Sequence, residues 1–313
     1  AVLLAMAGLA LPSLVAAAAP AARASSTASQ AATFADIAGV TPGKRDPLAS
    51  TMWRYYHEGL LERRPVVFDD RVRVEAPPFA EDARQVPVSV DAGALAGDIE
   101  RIEVWAERNP IPRVFSYHPE SSLAVPRMAI RIRVEQATPI RAAVLTKAGV
   151  WHVGSVFVEA AGGGCTAPSV VRAEGGWEQR LGQIRGGRFT RAGNDRLRLL
   201  VSHPMDNGLV GGVPEFYVDE AEVFDARDRR VARMQFFPAV SENPALTLDV
   251  GSDSKAYRVE LRDNGNGLVA ASDPDSDTGA NVSASVAAGT YHLVISGVGN
   301  ALGANAGGNS LAV

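Results

Sequence analysis

The spacing of hydrophobic residues is helical only near the start of the chain. A first set recurs at roughly helical spacing: Leu48, Met52, Tyr55 and Leu60. Asp46-Pro47 precedes this set and is typical of a helix N-cap followed by proline at the first helical position. The pattern predicts a helix from about Pro47 to Glu62, and beyond it the hydrophobic period becomes two.

The alternating segments predict β-strands. The clearest one places Met128, Ile130, Ile132 and Val134 on one face and Ala129, Arg131, Arg133 and Glu135 on the other. An apolar face opposite a charged face is typical of a half-solvated antiparallel sheet. We therefore expect Arg131 and Arg133 to form a solvated surface or part of a contact with an acidic partner. Shorter alternations lie at residues 72–76, 86–90, 140–144, 156–158, 197–201, 221–223, 257–261 and 291–295.

Turns and glycines divide the strands into two blocks. In the first block, turn signals such as Pro77-Pro78 and Asn109-Pro110 separate several short strands, which predicts a β-sandwich. Nine glycines then fall between Gly162 and Gly193 without an apolar period, which indicates a linker. A second, smaller sandwich is predicted from about 184 to 271, and residues 272–313 form a tail that we leave unassigned.

The first 24 residues predict an export signal. They are apolar, are interrupted by Pro12 and end in Ala22-Arg23-Ala24, an A-x-A cleavage pattern that precedes a polar run. The start Met and the basic n-region are missing, so we interpret residues 1–24 as a truncated signal peptide and 25–45 as a flexible leader. We expect the mature protein in the periplasm without a membrane anchor, because no other segment approaches the length of a transmembrane helix.

Composition and charge exclude several classes of protein. The 313-residue chain has a net charge of −4 with dispersed basic residues, unlike the basic face of a nucleic-acid binder. Its single cysteine, Cys165, excludes an intramolecular disulfide and a zinc site with two or four cysteines. The sequence has no CxxCH haem motif, no Rossmann fingerprint after a strand and no metal-ligand cluster, so we expect no cofactor and no metal.

The sequence around Cys165 carries the chemistry that we expect of this chain. Gly162, Gly163 and Gly164 remove side chains before the thiol and permit backbone conformations closed to other residues. No Lys, Arg or His lies within six residues on either side, so nothing local would lower the thiol pKa much below its free value of about 8.5. We therefore expect an exposed thiol on a flexible arm, on which other proteins act.

Motifs in both blocks resemble those of two sulfur-oxidation families. Up to the cysteine, the chain is similar to the SoxY sulfur carrier in a helix with Trp53, in Val74-Glu75-Ala76-Pro77, Ala80-Glu81-Asp82, Val86-Pro87-Val88 and Asn109-Pro110-Ile111-Pro112, and in the glycine-rich arm. After it, the chain resembles SoxZ in Ser202-His203-Pro204-Met205-Asp206-Asn207-Gly208, in Val240-Ser241-Glu242-Asn243-Pro244 and in a strand ending Asp263-Asn264. The similarities follow in the right order and cover about residues 47 to 271.

This resemblance implies an all-β fold of two immunoglobulin-like β-sandwich domains, with a short N-terminal helix on the first. It implies a non-enzymatic periplasmic carrier in which Cys165 binds a sulfur-compound intermediate covalently and Gly162, Gly163 and Gly164 form a swinging arm. The single chain looks like fused SoxYZ-like carriers associated with quinoprotein dehydrogenases. The expected partners are therefore sulfur-oxidising multienzyme components, or a quinoprotein dehydrogenase and a c-type cytochrome.

The resemblance also sets the expected domain boundaries: 46–160 for the SoxY-like domain, 161–183 for the cysteine arm and linker, and 184–271 for the SoxZ-like domain. One feature departs from stand-alone carriers, in which the cysteine lies near a free C-terminus. Here Thr166-Ala167-Pro168 and the linker follow it, so the arm is tied at both ends. Because a linker raises the effective concentration of the second domain, we expect an obligate two-domain unit.

Two other functions stay open for the cysteine region. The chain could be a non-catalytic binding module that docks onto a periplasmic dehydrogenase or cytochrome, with the cysteine secondary. A Cys165–His203 dyad would instead make it a thiol hydrolase, although no orienting Asn or Asp motif supports that. His203 and Met205 could also suggest copper, but a site needs further ligands at matching spacing.

The remaining titratable groups have simpler interpretations. Asp273, Asp275 and Asp277 alternate like calcium ligands but lack the glycine and closing glutamate of an EF-hand loop. Asp69-Asp70 and Glu81-Asp82 are adjacent pairs whose side chains would point to opposite faces of a strand, so we expect solvated loops. His152 lies beside Trp151 in a strand and is expected to be packed or satisfied locally.

Overall fold

A computed structural model describes residues 45–191, 193–225 and 227–252, together with the strands 258–263, 268–272, 281–282 and 291–296. The predicted signal peptide, nearly all of the leader and the Asp273, Asp275 and Asp277 series lie outside the described residues. Within the described ranges, no helix is long and apolar enough to cross a membrane.

The N-terminal helix is shorter than the sequence pattern predicts. Helix α1 spans Trp53–Gly59. Upstream of it, the Asp46 carboxylate accepts hydrogen bonds from the backbone N–H groups of Leu48 (3.1 Å) and Ser50 (2.7 Å) and so forms a turn. The same carboxylate also binds both terminal nitrogens of Arg141 at 2.7 and 2.8 Å. These contacts hold the chain in a turn, and the helix therefore begins six residues later than expected.

The described part of the chain forms eighteen strands. In the first half these are β1 (Val66–Phe68), β2 (Arg73–Glu75), β3 (Phe79–Ala80), β4 (Val86–Asp91), β5 (Ile99–Ala106), β6 (Arg113–Pro119), β7 (Ala124–Ile132), β8 (Thr138–Thr146) and β9 (Trp151–Ala160). In the second half these are β10 (Ile184–Arg191), β11 (Asn194–Val201), β12 (Val218–Phe224), β13 (Arg230–Phe236), β14 (Ala245–Gly251), β15 (Arg258–Asp263), β16 (Leu268–Ser272), β17 (Asn281–Val282) and β18 (Tyr291–Ser296). A 3₁₀ turn covers Gly93–Leu95.

The strands assemble into two sheets, each built from both halves. The larger sheet has eleven strands in the order β1-β9-β8-β5-β6-β13-β12-β18-β15-β16, with β3 beside β9. The smaller sheet has seven strands in the order β17-β10-β11-β14-β7-β4-β2. The all-β class with a short N-terminal helix is thus confirmed.

The two halves join strand to strand in both sheets. In the larger sheet β6 pairs antiparallel with β13, and Phe115 lies opposite Phe236. In the smaller sheet β7 pairs antiparallel with β14, and Met128 lies opposite Leu248. Pairing in this way satisfies backbone groups that would otherwise lie open at a sheet edge. The halves are therefore held by continuous backbone ladders as well as by side-chain packing.

One hydrophobic core runs between the two sheets through both halves, and it contains Val88, Ile130 and Leu248. A second cluster lies on the outer face of the larger sheet, where Tyr56 and Leu61 cover Trp151. Strand β8 lies between the two clusters and is buried at all nine positions. This double burial explains why its sequence alternates only weakly between apolar and polar residues.

The segment between the halves is more ordered than a glycine-rich linker. Two one-turn helices lie within residues 161–183: α2 (Val170–Ala173) and α3 (Trp177–Arg180). In the tail, β18 pairs with both β12 and β15, so this part of residues 272–313 belongs to the larger sheet. The domain boundaries that we derived from the sequence stay a prediction.

Because the sheets are continuous, we expect the chain to unfold in one cooperative transition. Leu248→Ala removes buried volume from the second half and should destabilise the protein by about 2–5 kcal/mol. Three of the four tryptophans, Trp53, Trp105 and Trp151, report on the first half. In urea, Leu248→Ala should shift the tryptophan-fluorescence and far-UV circular dichroism transitions together. If Leu248→Ala instead unfolded in two separate urea transitions, and its tryptophan-fluorescence transition stayed at the wild-type urea concentration, the two halves would not unfold as one unit with shared sheets.

Candidate functional site

The cysteine arm, residues 162–168, is docked against the body of the protein. It follows strand β9 and turns at Gly162 and Gly163, whose φ angles of 108° and 80° lie in the region that favours glycine. The Gly163 N–H donates to the Glu135 carbonyl oxygen at 3.2 Å, just beyond strand β7. The first two glycines therefore form a turn that brings the arm back onto the loop after β7.

Gly164 lies where no side chain would fit. A Cβ atom at this position would lie 2.2 Å from the Ala83 carbonyl oxygen and 2.4 Å from the Val134 carbonyl oxygen. Ala83 and Val134 are themselves joined, since the Val134 N–H donates to the Ala83 carbonyl at 2.8 Å. In this conformation the third glycine permits close backbone packing of the arm.

The Glu135 carboxylate holds the residues on either side of the Cys165–Thr166 peptide bond. One oxygen, Oε2, accepts from the backbone N–H groups of Cys165 (2.8 Å) and Thr166 (3.2 Å). The other, Oε1, accepts from the Thr166 hydroxyl at 2.9 Å. Hydrogen bonds to an ionised carboxylate are stronger than those between neutral groups, so these three contacts form a firm attachment.

The second half of the chain holds the same residue from the other side. The Asn207 side-chain amide donates to the Cys165 carbonyl oxygen at 2.6 Å. Its own oxygen accepts from the Leu209 N–H at 3.0 Å, which fixes the orientation of the amide. The backbone of Cys165 is thus bound by one residue from each half.

The segment after the arm is held by the two motifs that resemble SoxZ. Glu242 accepts from the N–H groups of Val170 (3.1 Å) and Val171 (2.8 Å). Asp206 accepts from Arg172 Nε at 2.7 Å. Sequence analysis identified these two acidic residues only as members of the motifs that resemble SoxZ. Their shared role is to bind the segment between Cys165 and the second half.

Arg133 is buried, and our expectation of a solvated or partner-binding surface is wrong for this residue. It lies one residue beyond the end of β7 and donates to the carbonyl oxygens of Met205 (2.8 Å) and Pro204 (3.2 Å). Glu242 lies 3.7 Å from the same guanidinium group. Loops of the second half cover this position, and the strand pattern of the first half could not show that. Arg131 is exposed, as expected.

His203 is buried and orients the loop that carries Asn207. Its Nδ1 accepts from the Met205 N–H at 3.0 Å, and its ring packs on Phe216 with the centroids 4.4 Å apart. Burial lowers the pKa of His203 to about 3, so the ring is neutral. No group of three or more His, Cys, Asp or Glu side chains in the described ranges could hold a metal ion.

Some acidic pairs are also less solvated than expected. Asp69 is mostly buried and binds Arg71 and His152, both at 2.7 Å, so the prediction of a solvated loop is wrong for Asp69. Asp82 pairs with Arg84 at 3.0 Å on the surface. His152 is buried and satisfied by this local pairing, as we interpreted it.

The Cys165 thiol is buried, with only 2% of the residue exposed, and our expectation of an exposed thiol is wrong. Burial raises the pKa of Cys165 to about 12, and the nearby Glu135 carboxylate adds to this effect. The thiol is therefore protonated at neutral pH and is a poor nucleophile in this conformation. Covalent attachment at Cys165 and a flexible arm of Gly162, Gly163 and Gly164 stay predictions, and both require the arm to undock.

Comparisons with known proteins agree with the two-part organisation of this site. Residues 57–165 match the family model of the sulfur oxidation protein SoxY, and residues 188–272 match that of the sulphur oxidation protein SoxZ. The first match ends on Cys165. Together with the two sheets, these matches confirm the expected immunoglobulin-like fold class. A search of curated proteins found no match.

One solved structure similar to this chain is that of the sulfur carrier protein SoxY from Chlorobium limicola f thiosulfatophilum. The identity is 20%, and the alignment covers 36% of this chain and 97% of that one, with a TM-score of 0.31. This likeness is too low to add to the description of the site.

The alkylation rate of Cys165 should report undocking through its pH dependence. The docked thiol has a pKa of about 12, whereas an undocked thiol titrates near about 8.5. Docking is therefore fully stable below about pH 8.5 and weakens as the pH rises toward the docked pKa. We expect the iodoacetamide rate of the native protein, divided by that of the urea-unfolded chain, to stay constant below about pH 8.5 and to rise about tenfold per pH unit above it. A ratio near one at neutral pH would show that the thiol is exposed.

Proposed function

Because this chain is a SoxYZ-like protein, with a SoxY domain followed by a SoxZ domain in one polypeptide, we propose that it is a carrier for sulfur oxidation. Cys165 binds a sulfur-compound intermediate covalently, and partner enzymes act on the bound intermediate. The observation that carries this proposal is that the SoxY match ends on the only cysteine, while a residue of the SoxZ domain, Asn207, binds that cysteine's carbonyl.

The loading step fits a thiol that other proteins act upon. With thiosulfate as the cargo, the Cys165 thiol and thiosulfate form Cys165–S–S–SO₃⁻ and release one proton and two electrons. The electrons pass to a partner redox protein, such as a c-type cytochrome. The side chains that bind the Cys165 backbone are a carboxylate and a neutral amide, and Arg133 is a cation near the thiol. None of the three is a redox group, so we assign the attachment point to this chain and the oxidation to its partners.

The carrier works only when the arm leaves its docked position. The hydrogen bonds that hold it are three to the Glu135 carboxylate, one to the Glu135 carbonyl oxygen and one to Asn207, and none of these contacts is covalent. Once undocked, residues 162–168 regain the reach that three consecutive glycines allow. Docking would then protect an unpaired thiol from oxidation between cycles.

The setting of the carrier is also a proposal. The A-x-A pattern at Ala22-Arg23-Ala24 supports cleavage of an export signal and a periplasmic location. The fused arrangement supports sulfur-oxidising components, or a quinoprotein dehydrogenase with a c-type cytochrome, as partners.

A second function is favoured by one observation, the burial of Cys165. The chain would then be a non-catalytic accessory module that docks onto a periplasmic quinoprotein dehydrogenase or cytochrome, and its cysteine would be structural. In that case a variant without the thiol would support partner activity as well as the wild type does.

Replacement of Cys165 by serine separates the two functions. On the carrier proposal, protein purified from its own periplasm begins at Ser25 and shows adducts of sulfur or sulfonate mass at Cys165, which Cys165→Ser lacks. The variant should also lose all stimulation of sulfur oxidation by the partner enzymes. An unchanged urea transition for Cys165→Ser is the control for folding.

Full partner activity with Cys165→Ser would contradict the carrier proposal and support the accessory module. Unmodified wild-type thiol after incubation with thiosulfate or sulfide and the oxidising partners would contradict it as well.

A further inference from the structure

We infer that the sulfur adduct itself releases the arm, an inference that rests on the proposed carrier function. While Cys165 is unmodified the arm stays docked, and an anionic adduct on Cys165 Sγ undocks the arm. The latch consists of Glu135 and Asn207, which bind the arm, and of Thr166, which the arm contributes. The empty arm would thus undock only transiently, which is when loading occurs, and the loaded arm would stay exposed to partners.

The latch joins both halves of the chain at one residue. Glu135, in the first half, accepts a hydrogen bond from the Cys165 N–H, whereas Asn207, in the second half, donates one to the Cys165 carbonyl oxygen. Thr166 adds a backbone and a hydroxyl contact to Glu135. Its hydroxyl contributes a bond that a glycine following the cysteine could not make.

The docked arm is packed too closely to accommodate a larger group on the sulfur. Gly164 packs between the carbonyl groups of Ala83 and Val134 so closely that even a Cβ atom would overlap them. Cys165 itself is 2% exposed. A thiosulfonate adds two sulfur atoms and three oxygen atoms to Sγ, and the adjacent backbone cannot move inward to make space for them.

Charge also opposes a docked adduct. The carboxylate of Glu135 faces the same residue, and burial disfavours any anion at this sulfur. Arg133 is the nearby cation, but it is already bound to the carbonyl groups of Met205 and Pro204 and lies beside Glu242. Moving the charged end of the adduct into water removes this penalty and leaves only the latch contacts to be replaced by water.

Hydrogen exchange at the arm tests this switch without any partner enzyme. The Cys165 thiolate attacks an inner sulfur of tetrathionate, which gives Cys165–S–S–SO₃⁻ and releases thiosulfate, so the reaction needs no further oxidant. Intact mass confirms complete loading. We expect peptides covering residues 162–168 to exchange their amide hydrogens about tenfold faster or more in the loaded protein, because the bonds to Glu135 are lost.

A neutral adduct separates charge from size. Methyl methanethiosulfonate transfers its CH₃S group to Cys165 and releases methanesulfinate. The methylthio protein should keep clearly more amide protection than the thiosulfonate protein. Unchanged protection in a fully loaded thiosulfonate protein would overturn the switch, and equal loss of protection in both adducts would overturn the role of charge.

Variants of the latch residues test the proposal without loading Cys165. Glu135→Ala should undock the empty arm and raise the iodoacetamide rate of Cys165 about tenfold or more, and Thr166→Ala should have a smaller effect. Glu100→Ala, at an exposed carboxylate on β5, is the matched control and should leave the rate unchanged. A wild-type rate in Glu135→Ala with an unchanged fold would overturn the latch.

The two proposals fail in distinguishable ways. If Glu135→Ala opens the arm and partner enzymes still leave Cys165 unloaded, the carrier function fails and the latch stands. If the partners load Cys165 while tetrathionate loading leaves the arm protected, the carrier function stands and the switch fails.

Discussion

The binding of the cysteine arm by Glu135 is the contact on which the properties of this protein depend. One carboxylate accepts hydrogen bonds from two backbone N–H groups and a hydroxyl, beside a thiol whose pKa is raised by burial and, to a smaller extent, by this carboxylate. Without this contact the arm would be a glycine-rich loop with a reactive cysteine at its tip. With it, the same residues form a closed, unreactive site. The functional question for this molecule is therefore what opens the arm.

The shared sheets explain how the closed site can be built. The pairs β6–β13 and β7–β14 fix the two halves in one register, so loops of the second half lie over the end of β7. That placement buries Arg133 and brings Asn207 to the cysteine. A separate second domain would have to bind before it could complete this site. In a single chain with continuous sheets the site is complete in every molecule, which is what the proposed carrier function and the proposed periplasmic location require.

The sequence predicted the all-β fold class and singled out Cys165, but it did not predict that the fold buries Cys165. Alternation in segments such as 128–134 located strands, because a strand with one buried face has a period of two. The motifs at 202–208 and 241–244 pointed to the right family. Burial of Cys165 could not be predicted, because its partners Glu135 and Asn207 lie 30 and 42 residues away. The glycine triplet is ambiguous for another reason, because a flexible backbone and close backbone packing both require the absence of a side chain.

Because the chain has a single cysteine, selective ¹³Cβ labelling of cysteine gives one NMR signal that reports the state of the arm directly. A docked arm should give a broad signal in the empty protein, with the linewidth of the protein body. Once Cys165 carries a thiosulfonate, we expect a narrow, shifted signal, because the arm then moves independently of the body. A narrow signal in the empty protein would contradict docking. A broad signal in the fully loaded protein would contradict release.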